Sequence, residues 1–215
     1  MHIPDGFLGP QTWLPAAGVA ALGWTWAVRR VRRTLHTESV PTLGVVTACS
    51  FGLMLVTIPL PGGTTIHATG IGLLALRFGV AATFLSVSLV LALQALLLGD
   101  GGLTTLPVTA LALGLVGGGA VVGTHRLCAP FAGRYAVGAA AFVGVVAAAF
   151  VAAIVLGLQP LLSHGPDGAP LYFPFGLRTT LPAVVLPHLL VGVLEAALTM
   201  AADRLLRHDD KGGRS

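Results

Sequence analysis

Charge is the scarcest property of this sequence. Asp, Glu, Lys and Arg make up 9% of its 215 residues, twelve basic and eight acidic, while 55% are apolar. A soluble domain spends about 25% of its residues on charge because its surface faces water. That excludes a water-exposed globule and places the chain in a lipid bilayer. Cysteine is nearly missing too. Cys49 and Cys128 have no metal or redox spacing between them, so both are expected to be small core residues. No Lys or Arg lies between Met1 and Leu8. A cleavable signal peptide needs a basic stretch there, so the chain is expected to begin at its own residue 1. There is no Gly-x-x-x-x-Gly-Lys-Ser/Thr loop and no His-Glu-x-x-His, which argues against an ATPase and against a zinc protease.

A net charge of +4 would suggest nucleic acid in a polar chain. Here the arginines sit in short runs between apolar blocks, as cytoplasmic membrane anchors do, and no nucleic-acid partner is expected. Uncharged stretches run over Gly6–Val28, Ser39–Leu76, Phe78–Gly99, Gly101–Thr124, Tyr135–Pro166 and Thr179–Leu194. Each is near the roughly 20 apolar residues that a spanning helix needs. The second is broken by Pro59-Leu60-Pro61-Gly62-Gly63, which no helix passes unkinked. The choice between six and seven spans turns on Ile66–Gly99. A short piece, Ile66–Leu76, then a break around Arg77-Phe78-Gly79 and a full span Val80–Leu98, gives seven. Eleven of the twelve Lys and Arg then share the side of Arg29, Arg30, Arg32 and Arg33, leaving Arg178 alone opposite. One uninterrupted helix strands Arg77 in lipid and mixes the rest. The positive-inside rule therefore selects about seven helices, one of them short and partial, with the amino terminus outside and the carboxyl terminus inside.

The expected fold class is an all-α membrane protein. Residues 1–207 are expected to form a single polytopic domain, and 208–215 a polar, disordered cytoplasmic tail. Ala132, Ala136, Ala140, Gly144, Ala148 and Ala152 recur every four residues, a smooth ridge suited to close helix contact. His188 and Glu195, seven apart on one helix, share a face and read as a structural pair. His36, His125 and His208 fall at or near the inner side, and His164 in the outer loop Gln159–Arg178.

His2 and His67 both fall on the outer side. A free Met-His terminus offers a metal the amine of Met1, the deprotonated amide of His2 and the imidazole Nδ1 of His2. Planarity of the peptide keeps these three nearly coplanar. A nitrogen from His67 completes a square, the geometry that Ni(II) and Cu(II) favour. An ionised amide also lowers the buried charge from +2 to +1. Met1, His2 and His67 are therefore the candidate metal-binding residues, with no catalytic residue and no catalytic cofactor expected.

Met1-His2-Ile3-Pro4-Asp5-Gly6-Phe7-Leu8 and Pro59-Leu60-Pro61-Gly62-Gly63-Thr64-Thr65-Ile66-His67 resemble the CbiM/NikM family, metal-binding membrane subunits of energy-coupling-factor cobalt and nickel importers. Gly99-Asp100-Gly101-Gly102-Leu103-Thr104 looks like a third family segment, and His188–Glu195 with Thr199 is similar to a fourth. The resemblance implies that the amino terminus folds into the bundle, where Met1, His2 and His67 bind the ion. It implies a substrate-capture subunit for Ni²⁺ or Co²⁺ in the cell membrane, not an enzyme. The implied partners are a transmembrane coupling subunit, cytosolic ATPases and a small accessory membrane protein. The alternative class is an intramembrane metalloenzyme using the same histidines. The family's Gln-Met-x-Asn-x-Pro pattern aligns with Met54, Leu55, Thr57 and Pro59, so two amides are lost, at Met54 and Thr57, and the chain departs again at Pro107, Val108 and Thr109.

Overall fold

A computed structural model describes residues 2–59 and 65–212. The architecture is all-helical apart from a two-residue antiparallel ribbon, in which Ile58 faces Ile66 and Pro59 faces Thr65. Six long helices follow one another: α1 Pro10–Thr34, α2 Val40–Leu55, α3 Ile71–Leu98, α4 Leu106–Ala132, α5 Tyr135–Leu162 and α6 Leu177–Gly212. Five of them, α2 to α6, are long and apolar enough to cross a membrane. Their outer surfaces carry large exposed side chains such as Val45, Leu97, Leu127, Phe131, Leu190 and Leu205. Such a belt would aggregate in water and is at home in lipid.

Local sequence explains where the helices begin and end. Pro10 opens α1, where its missing N–H costs nothing, and Arg32 and Arg33 close its last turn against the negative end of the helix dipole. Within α3 the helix is broken at Gly79, whose φ of 78° and ψ of 173° lie outside the helical region. This is inside the Arg77–Gly79 segment where the break was expected. The start of this helix differs from expectation. Ile66 belongs to the ribbon, and the helix begins at Ile71 after Gly70 at φ 73°. A left-handed residue ends the extended run of Thr65–Thr69, and glycine takes that conformation without a Cβ clash. The residues Leu60, Pro61, Gly62, Gly63 and Thr64 lie outside the described residues. At the far end α6 remains helical to Gly212, past residue 207 and into the segment that was expected to be disordered.

Small residues form the spine of the bundle. Ala136, Ala140, Gly144, Ala148 and Ala152 on α5 are all buried, with α4 and α6 packed along them. Ala132 is not part of this ridge: it ends α4, and Gly133 at φ 51° turns the chain before α5 begins. At the α4–α5 crossing a Cβ on Gly117 would sit 3.1 Å from the carbonyl oxygen of Gly144, and one on Gly144 would enter the Val121 side chain. Backbones can approach this closely only without side chains between them. The two cysteines are not core residues as expected. Cys49 is exposed and Cys128 half-buried, because on α2 and α4 these positions turn away from the α5 spine toward lipid.

The crossing gives a direct test. Gly144→Leu overpacks the α4–α5 contact and is expected to cost about 1–3 kcal/mol or more, lowering the thermal unfolding midpoint of the detergent-solubilised protein. Ala139→Leu, on the exposed face of the same helix, should leave the midpoint unchanged.

Candidate metal site

The amino-terminal segment folds back into the bundle and is fastened there at several points. Its two large apolar residues, Ile3 and Leu8, are 2% exposed and pack with Val108, Ala152 and Leu156. Asp5 accepts the backbone N–H groups of Leu103 at 3.1 Å and Thr104 at 2.9 Å, and the Thr104 hydroxyl. That hydroxyl first, and the amides with it, hold the Asp5 carboxyl below the ordinary carboxylate range. Thr105 donates its hydroxyl to the carbonyl of Ile3. Gln159, buried at the end of α5, accepts the Gly9 N–H at 3.0 Å. Nearby, Gln11 donates to the Leu162 carbonyl at 2.9 Å and to the Ser163 hydroxyl. A Cβ on Gly102 would collide with the Asp5 backbone nitrogen at 2.5 Å. The glycines of the 99–102 loop therefore let the amino-terminal strand lie against bare backbone.

This seating brings His2 and His67 together. Their ring centroids are 4.9 Å apart with planes inclined by 32°. His67 is 4% exposed. Its Nδ1–H donates to the carbonyl of Ala68 at 3.2 Å, and since a carbonyl can only accept, the lone pair of that ring is on Nε2. His2 makes the complementary choice. Its Nε2 lies 2.9 Å from Oε1 of Gln94, an acceptor that puts the proton on Nε2 and the lone pair on Nδ1. That lone pair faces the carboxylate of Asp100 at 3.4 Å. Burial, before any other cause, lowers the pKa of His2 to about 4 and depresses that of His67 as well. Both rings are thus neutral at pH 7, the state in which imidazole binds metal.

Met1 lies outside the described residues. Among the described residues no group of three or more His, Cys, Asp and Glu side chains forms a metal cluster. Two site residues were not read from the sequence. Gln94 is fully buried, and its Nε2 has no hydrogen-bond partner. Its signal was available: it is the one amide side chain in the run Phe78–Gly99. Asp100 had been noted only as part of a motif. His188 and Glu195 do not form the expected pair. His188 Nδ1 donates to the Val184 carbonyl at 2.8 Å. Glu195 instead accepts from the backbone of Thr69 and Gly72. Neighbouring turns on one face do not make a bond when each side chain has a nearer partner. His164 is exposed and stands apart in its loop.

A multi-pass helical membrane protein with paired neutral imidazoles beneath its folded-in amino terminus is the class these features define. The chain matches, over residues 2–210, the CbiM family described as the cobalt uptake substrate-specific transmembrane region, and it belongs to that family. It is 38% identical over 212 residues to the fused nickel transport protein NikMN of Rhodobacter capsulatus, covering 93% of this chain and 59% of that one. It is 38% identical over 130 residues to the cobalt transport protein CbiM of Moorella thermoacetica, covering 59% of this chain and 50% of that one. The chain spans about three fifths of the length of the fused relatives it matches. Its fold superposes on a solved truncated transition metal transporter with a TM-score of 0.91 at 38% identity, covering 97% of this chain and 99% of that one.

The depressed imidazoles set a pH window. Between about pH 6.5, where unfolded histidine titrates, and pH 4, the unfolded chain takes up protons that folded His2 and His67 refuse. The stability these rings confer is whole above that window and is lost as pH falls through it. The metal-free protein should therefore show a falling unfolding midpoint from pH 6.5 to 4, and His2→Gln with His67→Gln should flatten the profile. Protonation of unperturbed imidazoles would have weakened metal binding near pH 6–7. Burial moves that competition at His2 to about pH 4.

Proposed function

We propose that this chain is the ion-capturing membrane subunit of an energy-coupling-factor importer for Ni²⁺ or Co²⁺. The ion is its transported substrate. The observation that carries this reading is the approach of two neutral imidazoles, their ring centroids 4.9 Å apart and each with one nitrogen against a neighbouring oxygen. The Nδ1 of His2 is the atom that would close a chelate ring with its own backbone amide and, with Met1 as first residue, the terminal amine. The Nε2 of His67 supplies the fourth nitrogen of a square. Gln94, on the far side of the His2 ring, fixes the tautomer, as outer partners of metal-bound histidines do. Asp100, half-exposed beside Nδ1, draws a divalent cation toward the site.

In this reading the chain has about seven membrane helices, one of them short and partial, counting the two pieces of α3 on either side of Gly79 separately. The amino terminus and the metal site are outside, and the carboxyl terminus is inside. The membrane domain is a single unit over residues 1–207, and residues 208–215 form the cytoplasmic tail. Energy comes from elsewhere. A transmembrane coupling subunit, cytosolic ATPases and a small accessory membrane protein complete the importer, and the chain itself catalyses no reaction. The names of the relatives, all transport proteins, support this over the metalloenzyme alternative.

The amine and the geometry can each be tested. Protein with its native amino terminus should bind Ni²⁺ tightly at one ion per chain, while the same protein with residues added before Met1 should bind it at least tenfold more weakly. Equal affinity in both would remove the amine from the ligand set. A square of four nitrogens, one of them ionised, favours d⁸ Ni(II), is accepted by Co(II) and suits Zn(II) poorly. The expected order is Ni²⁺ at or above Co²⁺ and both far above Zn²⁺, with a yellow nickel form. An octahedral nickel spectrum would overturn the square. Gln94→Leu should retain the square spectrum but cost about tenfold in affinity by freeing the His2 tautomer.

A further inference from the structure

The segment that carries His67 has a second fastening, which the metal site itself does not use. Glu195 on α6 is fully buried, and both its oxygens are turned to the backbone just beyond His67. Its Oε2 accepts the N–H of Thr69 at 2.8 Å, and its Oε1 accepts the N–H of Gly72 at 3.3 Å. The amide of Gly70 and the hydroxyl of Thr69 also face this carboxylate. From the opposite side, Ser50 on α2 donates its hydroxyl to the Thr69 carbonyl. There is no slack behind the segment. A Cβ on Gly72 would stand 2.5 Å from Oγ1 of Thr199 and 2.7 Å from the Cβ of Ala141. Ala68, Thr69 and Ile71 are each no more than 4% exposed.

A carboxylate is specifically suited to this position. Two converging N–H donors need two acceptor oxygens. A glutamine offers one, and turns its own N–H toward a donor that already lacks an acceptor. In an apolar interior that mismatch is not relieved by water. Thr69 is two residues from His67, so a change in where Thr69 is held moves the imidazole.

We propose that Glu195 is the positioning residue of the metal loop. It clamps Thr69–Gly72 to α6 so that His67 meets His2 in the geometry that a single ion can bridge. This rests on the reading of His67 as a metal donor. It further makes α6 the element whose displacement would withdraw His67 and loosen the ion. The rival role for Glu195 is a brace for the bundle at large, and a double-substitution cycle separates the two.

Binding of Ni²⁺ would be measured by chelator competition on the purified full chain with its native amino terminus, for the parent, Glu195→Gln, His67→Ala and the double variant. Glu195→Gln should weaken binding about tenfold and shift the nickel visible band toward that of His67→Ala. In the His67→Ala background the same substitution should change affinity less than twofold, because its effect acts through the missing ring. A tenfold loss that persists without His67, or no loss at all in Glu195→Gln, would overturn the proposal. Unchanged binding in His67→Ala alone would instead overturn the metal reading on which it rests, and the two failures are distinguishable. Should Glu195→Gln not fold, Glu195→Asp carries the same cycle: it keeps two oxygens but sets them one methylene back. Its expected loss is likewise confined to proteins that retain His67.

Discussion

An imidazole offers a lone pair to a metal only while it is unprotonated, and in this protein burial keeps it so. His2 and His67 are held neutral because they are removed from water, and the rest of the site follows from that requirement. To bury His2 the amino-terminal segment must enter the bundle, and its polar groups are tied at the surface by Asp5 and in the interior by the Ile3 carbonyl and the Gly9 amide. Asp5 takes the amides of the 103–104 turn, the Ile3 carbonyl takes the Thr105 hydroxyl, and the Gly9 amide takes Gln159. Ile3 and Leu8 contribute the apolar contact that holds the segment in place. The bonds set its register.

Close packing elsewhere makes this seating possible. The Ala and Gly ridge of α5 lets neighbouring helices approach until backbones touch at Gly117 and Gly144. The same economy of side chains recurs where the His67 segment meets α5 and α6 at Gly72. A loop at this depth survives only against protein, and here its amides and carbonyls are bound by Glu195 and Ser50.

The polar groups at the site differ in kind. Gln94 stands against one nitrogen of His2 and the Ala68 carbonyl against one nitrogen of His67, so in the proposed site the fold would choose the two binding atoms before an ion arrives. Asp100 remains partly in water, where it can meet a hydrated cation. The unpartnered Nε2 of Gln94 is a buried donor without an acceptor. Such a cost is uncommon in a packed interior and falls here beside His2, at the proposed metal site.

What was legible from the sequence came from properties each residue carries alone. Scarce charge and long apolar runs sufficed for a helical membrane protein, and Arg77-Phe78-Gly79 for the break in α3. His2 and His67 stood out because their chemistry and flanking motifs are local. Contacts across 19 to 152 residues were decided only by the tertiary structure. Gln94 on His2 and Glu195 on Thr69 depend on which turn of one helix faces which loop, and no periodicity encodes that. The same reason undid the expected His188–Glu195 pair and turned the cysteines outward. A shared helical face places two side chains near each other, but the partner each one takes is set by what the rest of the fold brings within 3 Å.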